Sequence, residues 1–337
     1  MENYKITNKA SWRRAGNNDL IELKPPKGIN PLFYRKKDLH MLALTIADGG
    51  CIHISGGSGT GKTSLLFALT EVQQNWVRLC IYNNLEEKPL KMFRLAAFNF
   101  DSPGEMWYRR AINADGTYDE KQNLVEFMED AIANPDDAYY AVHIMELGRT
   151  KPSIQHALVH LLHDGEIVDP LTGNSIGSGE NIAFIADSNY AAADKHTFLL
   201  AEQDTALFNR INQTGIIIDH LSQQEETKIL MSIRRALNVD NVPDALVEQI
   251  AQLGHLMRVE QNENGALSSV NPVSMRSYIS FLKKASKSDL PPEDLADMTL
   301  FALASAEDRG VINELKSIVF GIQKYRYEMD EFSEMAF

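Results

Sequence analysis

The residues Gly56-Gly57-Ser58-Gly59-Thr60-Gly61-Lys62-Thr63 form the phosphate-loop pattern G-x-x-x-x-G-K-[ST]. No other feature constrains the fold as much, because this loop works only between a buried strand and a helix. The run from Cys51 to Ser55 just before it predicts the strand, and residues 63–69 predict the helix. Its glycines let backbone N–H groups turn inward around a phosphate at a helix N-terminus, where unpaired donors and the helix dipole both favour negative charge. In that frame Lys62 reaches the β- and γ-phosphates and the Thr63 hydroxyl faces Mg²⁺. The expected phosphate-binding set is Gly56, Gly57, Ser58, Gly59, Thr60, Gly61, Lys62, Thr63 and Ser64.

A chain of 337 residues has room for two domains, or for one core with an attached helical lid. Its net charge of −13 argues against a protein whose main task is coating nucleic acid, although a local basic patch or pore is compatible with it. The two cysteines, Cys51 and Cys80, both fall in runs that read as buried strands and suggest core thiols in a reducing compartment. No apolar run approaches the roughly 18 residues of a membrane helix, and Met1-Glu2-Asn3-Tyr4-Lys5 opens no signal-peptide pattern. A cytoplasmic protein with no membrane partner is expected.

Residues 1–30 read as a polar, loop-like extension ending in Lys24-Pro25-Pro26-Lys27-Gly28. An apolar helical pattern over 39–47 leads into the loop's strand, residues 76–82 read as a second strand, and 85–120 read as irregular. A helix over 121–133 and an apolar strand over 139–145 follow, then a helix over 153–162. The turn residues 169–174 suggest a hairpin insertion near 165–180, before strands at 182–186 and 215–218. Beyond Ser222 helices dominate, at about 223–236, 243–257, 273–285, 292–306 and 310–327. Strands alternating with helices predict an α/β core with a parallel sheet flanked by helices, over 31–220, and the helical remainder, 221–337, predicts a lid.

Phosphoryl chemistry also needs a carboxylate for the metal, a group that polarises water, and cations for developing charge. Candidates come in a set order: Met145-Glu146-Leu147-Gly148-Arg149 at a strand end, Asp187-Ser188-Asn189-Tyr190 at the next, Leu207-Phe208-Asn209-Arg210, and Asn271-Pro272-Val273-Ser274-Met275-Arg276. Over residues 31–285 this series resembles the AAA+ ATPases, and within them the MoxR branch with its CbbQ and NorQ types. The resemblance implies ATP and Mg²⁺ as cofactors, with ATP bound between core and lid. It also implies a ring, usually a hexamer, that remodels or activates a client protein in chaperone fashion, often one with a von Willebrand A domain. By the same likeness Glu146 polarises water, Asn189 is sensor 1, Arg210 is the finger offered to the next subunit and Arg276 is the lid arginine. With Lys62 these form the expected catalytic set.

The series departs from the family at one position. Met145 stands where the family has its metal-side aspartate, and a thioether suits a hard cation poorly. Hydrolysis is then weak or lost, or Thr63, phosphates and water hold Mg²⁺ alone, or Asp187 supplies the charge from the face it shares with Asn189. ATPase activity, weak or partner-dependent, is the expectation, with Thr63 and Asp187 as metal-side residues. The rivals are a non-hydrolysing, nucleotide-stabilised scaffold or sensor, and a motor subunit of a nucleic-acid-processing or defence complex.

Each residue also has an ordinary reading: Glu146 as a solvated strand-end acid, Asn189 as a turn cap, Arg210 and Arg276 as surface cations. His156, His160 and His163 share a helix face but match no metal template and suit a structural or interface role better. Phe33, Tyr34, Arg35 and Lys36 fit either an adenine pocket or core packing. Trp107, Tyr108, Arg109 and Arg110 make a small aromatic and basic cluster. The segment from Tyr327 to Phe332 reads as a partner hook or an acidic tail.

Overall fold

The computed structural model describes residues 16, 19–27, 30–114, 116–164, 166–168, 175–177, 181–189, 205–211, 214–263, 265–267, 270, 273–302 and 304–334. The chain divides into two compact units, residues 1–56 with 62–218, and residues 57–61 with 219–337. Most of the N-terminal extension, the turn at 169–174, Tyr190 and the Asn271-Pro272 pair lie outside the described residues, as do the side chains of His160, His163 and residues 327–332.

In the first unit β1 (Leu20–Leu23) pairs antiparallel with β2 (Leu32–Arg35), and α1 (Lys36–Ala47) leads into β3 (Cys51–Gly56). Helices α2 (Lys62–Glu71) and α3 (Gln73–Asn83) follow, then β4 (Leu90–Leu95), the short α4 (Gly104–Trp107) and a hairpin of β5 (Tyr108–Asn113) and β6 (Gly116–Lys121). After α5 (Asn123–Ala133), β7 (Tyr139–Ile144) and α6 (Pro152–Asp164) comes the antiparallel pair β8 (Glu166–Val168) and β9 (Ser175–Gly177). The unit closes with β10 (Ile182–Asn189), α7 (Thr205–Ile211) and β11 (Thr214–Ile217).

Five of these strands form one parallel sheet in the order β11-β3-β10-β7-β4. Strands covered on both faces are largely apolar on both, which is why β7 and the first five residues of β10 read as mainly hydrophobic runs. On one face Ala141, Ala183 and Ile185 pack with Leu39 and Leu42 of α1, Leu65 and Leu66 of α2 and Trp76 of α3. On the other, Val142, Phe184 and Ala186 pack with Leu124 of α5, Ile154 and Leu158 of α6, and Leu207 and Ile211 of α7. The fold is an α/β sandwich, a parallel sheet flanked by helices.

Several local expectations are overturned. Residues 76–82 are not a strand but part of α3, which buries Trp76, Leu79 and Cys80 together. A strand would send Trp76 and Leu79 to opposite faces. The helix buries both, and each such side chain is worth about 1.5–3 kcal/mol. The stretch 85–120 is not irregular: it holds β4 and the β5–β6 hairpin. Lys91 and Arg94 hide the β4 pattern, and their charged groups lie over aromatic rings, Lys91 Nζ 5.0 Å from the Tyr140 ring centre and the Arg94 guanidinium 3.4 Å from that of Phe67. Within the extension that reads as loop, Leu20–Leu23 is a strand whose Ile21 and Leu23 are buried.

The second unit is helical among its described residues: α8 (Gln223–Ala236), α9 (Asp244–Glu263), α10 (Met275–Ala285), α11 (Pro292–Thr299) and α12 (Ala306–Glu334). A reciprocal cap starts α8, with Glu225 N donating to Ser222 Oγ at 3.4 Å and Ser222 N donating to Glu225 Oε2 at 3.0 Å. Inside the unit Arg258 donates to Glu226 Oε2 at 2.6 Å and to Val273 O at 3.3 Å, while the Tyr278 hydroxyl donates to Glu226 Oε2 at 3.1 Å. A Cβ at position 254 would meet the Tyr278 oxygen at 1.8 Å, so only glycine fits there. No described helix is long and apolar enough to cross a membrane.

Candidate nucleotide site

The sheet brings the carboxyl ends of β3, β10 and β7 side by side, the edge at which open parallel sheets bind ligands. The phosphate loop follows β3, Asn189 ends β10, and Glu146 lies two residues beyond β7. Gly59 and Gly61 have φ of +75° and +97°, a region that side chains with a Cβ rarely adopt, so their glycines are required by the backbone.

Lys62 is buried, and its ammonium donates to Gly56 O at 2.9 Å and to Asn189 Oδ1 at 3.0 Å. The Thr63 hydroxyl donates to Asp187 Oδ2 at 2.9 Å, and the Glu146 backbone N–H donates to Asp187 Oδ1 at 2.5 Å. Alternation along β10 puts Asp187 and Asn189 on the face covered by α2, while Ser188 points the other way and meets the His53 ring nitrogen Nε2 at 2.7 Å. Two neighbouring sets of hydrogen bonds thus form, one joining Lys62 to Asn189 and the other joining Thr63 and the Glu146 backbone to Asp187.

Burial alone would raise the Asp187 carboxyl. The neighbouring His143, the Glu146 N–H and the Thr63 hydroxyl outweigh it and hold the group below its ordinary value. His143 Nε2 stands 3.2 Å from Asp187 Oδ2. None of Asp187's partners among the described residues is a lysine or arginine, so its negative charge is fixed in place without a permanent counter-cation. Two hard oxygen donors side by side, an ionised carboxylate and a hydroxyl, suit Mg²⁺. Sequence reasoning missed His143; the signal was its place two residues before Met145, on the strand face that Asp187 also uses.

Glu146 takes a left-handed backbone conformation, φ 48° and ψ 51°, uncommon for a residue with a side chain. Its carboxylate pairs with Arg149 Nη1 at 2.8 Å, and both side chains are nearly half exposed. Met145 lies on the same strand end, half-buried. Arg210 lies on α7, its guanidinium donating to Ala206 O at 3.3 Å, with no acidic partner among the described residues. Arg276 is exposed in the first turn of α10, whose N-cap Ser274 accepts from Ser277 N at 3.3 Å. The hydrogen bonds around Lys62 and Asp187 do not include Arg210. Tyr34 and Lys36 are buried, and the remaining histidine with a described side chain in the three-histidine series, His156, is exposed. No cluster of metal-binding side chains occurs among the described residues.

No protein-family model matches the chain, and no curated protein matches it. Among solved structures it is similar to NtrX from Brucella abortus in complex with ADP, at 12% identity over 82% of this chain and 54% of that one, TM-score 0.44. It is also similar to the RuvB Holliday junction branch migration motor of Thermotoga maritima, at 13% identity over 84% of this chain and 67% of that one, TM-score 0.40. The chain therefore spans about half the length of the NtrX chain. The functional reading rests on the site itself: a glycine loop at a helix N-terminus, a buried lysine, a hydroxyl and an ionised carboxylate at one sheet edge.

Proposed function

We propose that the chain is a Mg²⁺-dependent ATPase of the AAA+ type, with 31–220 as its nucleotide-binding core and 221–337 as its lid. The observation that carries this reading is the two neighbouring sets of hydrogen bonds, Lys62 to Asn189 and Thr63 to Asp187, beside Glu146. Thr63 and Asp187 hold Mg²⁺, which when bound neutralises phosphate charge. The loop N–H groups and Lys62 cradle the β- and γ-phosphates. Asn189, released from Lys62 by the incoming phosphate, orients the γ-phosphate together with the attacking water. Glu146 polarises that water once it leaves Arg149, and its backbone N–H stays on Asp187. Arg210 and Arg276 carry no ion pair among the described residues and supply cations for the developing charge, Arg210 to a neighbouring subunit.

A finger offered in trans implies a closed ring, a hexamer by family likeness, that converts turnover into motion of a protein client. A von Willebrand A domain protein is the client that the MoxR resemblance suggests. Met145 favours the rival, a nucleotide-gated scaffold without turnover. Mg²⁺-dependent ATP turnover per protomer, measured over a wide range of protein concentration with Lys62→Ala as blank, separates the two. The ATPase reading expects a rate that rises steeply with concentration and vanishes in the blank. A rate at the blank's level throughout supports the scaffold.

A further inference from the structure

His143 is wholly buried, and neither of its ring nitrogens meets hydrogen-bond geometry with a partner among the described residues. It lies on β7 between Ala141 and Met145, on the face where Ala141, Ala183 and Ile185 pack with α1 and α2. A polar ring in so apolar a setting is costly unless something there uses it. Its Nε2 stands 3.2 Å from Asp187 Oδ2.

The sheet register shows what that pairing accomplishes. Ala186 of β10 lies opposite Ile144 of β7, so one step further along the strands Asp187 lies beside Met145. Asp187 is thus the cross-strand neighbour of position 145, where the resembled family carries its metal-side acid. Position 145 is half-buried, whereas Asp187 is only 2% exposed. An ionised carboxylate that deep loses several kcal/mol of hydration and needs donors on both oxygens. Oδ1 has the Glu146 N–H and Oδ2 the Thr63 hydroxyl, with His143 Nε2 standing 3.2 Å from Oδ2.

We propose that His143 is the positioning residue that allows the metal-side carboxylate to work from β10 in place of position 145. It packs against Oδ2 and fixes the Asp187 carboxylate in place, so that Oδ2 holds the Thr63 proton and turns the hydroxyl lone pairs toward the cation. This rests on the reading of Asp187 as the metal-side acid.

The test is calorimetric titration of ATP into the full chain, with and without Mg²⁺, giving the affinity gained from the metal. Loss of an outer-shell partner typically costs about 10–100-fold in metal affinity. His143→Ala should therefore lose at least about ten-fold of the Mg²⁺ gain while metal-free ATP affinity stays as in the wild type. His143→Gln, which keeps an N–H donor, should recover part of it. In the Met145→Asp, Asp187→Asn background the gain should return and no longer respond to His143→Ala. Where truncation to Ala unfolds the chain, His143→Leu, closer in volume, takes its place. A full Mg²⁺ gain in His143→Ala or His143→Leu alongside its loss in Asp187→Asn would overturn the inference. A full gain in Asp187→Asn would instead overturn the reading beneath it.

Discussion

Asp187 in the sheet unit and Glu226 in the helical unit are both almost fully buried, 2% and 3% exposed, yet they are satisfied in opposite ways. Glu226 has a fixed cation against it, Arg258 at 2.6 Å, with the Tyr278 hydroxyl at 3.1 Å. Asp187 has a hydroxyl, a backbone N–H and an imidazole, and no lysine or arginine among the described residues. The first charge is cancelled inside the protein and ties α8, α9 and α10 together. The second is stabilised but left over, which is the state a site needs in order to receive a cation.

If that contrast is right, the largest effect on stability comes from Arg258. Arg258→Met strands the Glu226 charge and should cost about 3–5 kcal/mol in urea unfolding. Replacing both partners, as Glu226→Leu with Arg258→Met, should be far milder, because burying an apolar pair is often neutral. Equal losses in the single and double variants would break the comparison from the Glu226 side. A smaller effect is expected on the acid side for Asp187. Its folded pKa lies below the ordinary 3.8, so its contribution is fully present above that value and fades as pH falls through the range beneath it. Apo wild type should lose stability relative to Asp187→Asn on acidification below about pH 4. A difference that stays flat with pH would mean that the groups around Asp187 do not favour the ionised form.

The parallel sheet was legible because β3, β7 and β10 are buried on both faces and so carry largely apolar runs. The helix over Trp76 was not, because a short apolar run fits period 2 and period 3.6 alike until its packing partners are known. Strand β4 was masked by Lys91 and Arg94, whose charged groups lie over the Tyr140 and Phe67 rings. At the candidate site the loop and the strand-end positions of Glu146 and Asn189 could be read from local pattern. The tie between Asp187 and Thr63, 124 residues apart, depends on strand order, and no local window contains that order. His143 looked like one more residue of an apolar strand. The left-handed backbone of Glu146 and its pairing with Arg149 are likewise products of the folded strand end.

The central claim is that Asp187 supplies from β10 the negative charge that Met145 cannot. The most direct measurement is the affinity for ATP in the presence and absence of Mg²⁺, compared between wild type and Asp187→Asn. The account predicts that Mg²⁺ tightens binding in the wild type and that the substitution abolishes this gain while leaving metal-free binding to the loop and Lys62 intact. An undiminished Mg²⁺ gain in Asp187→Asn would contradict it.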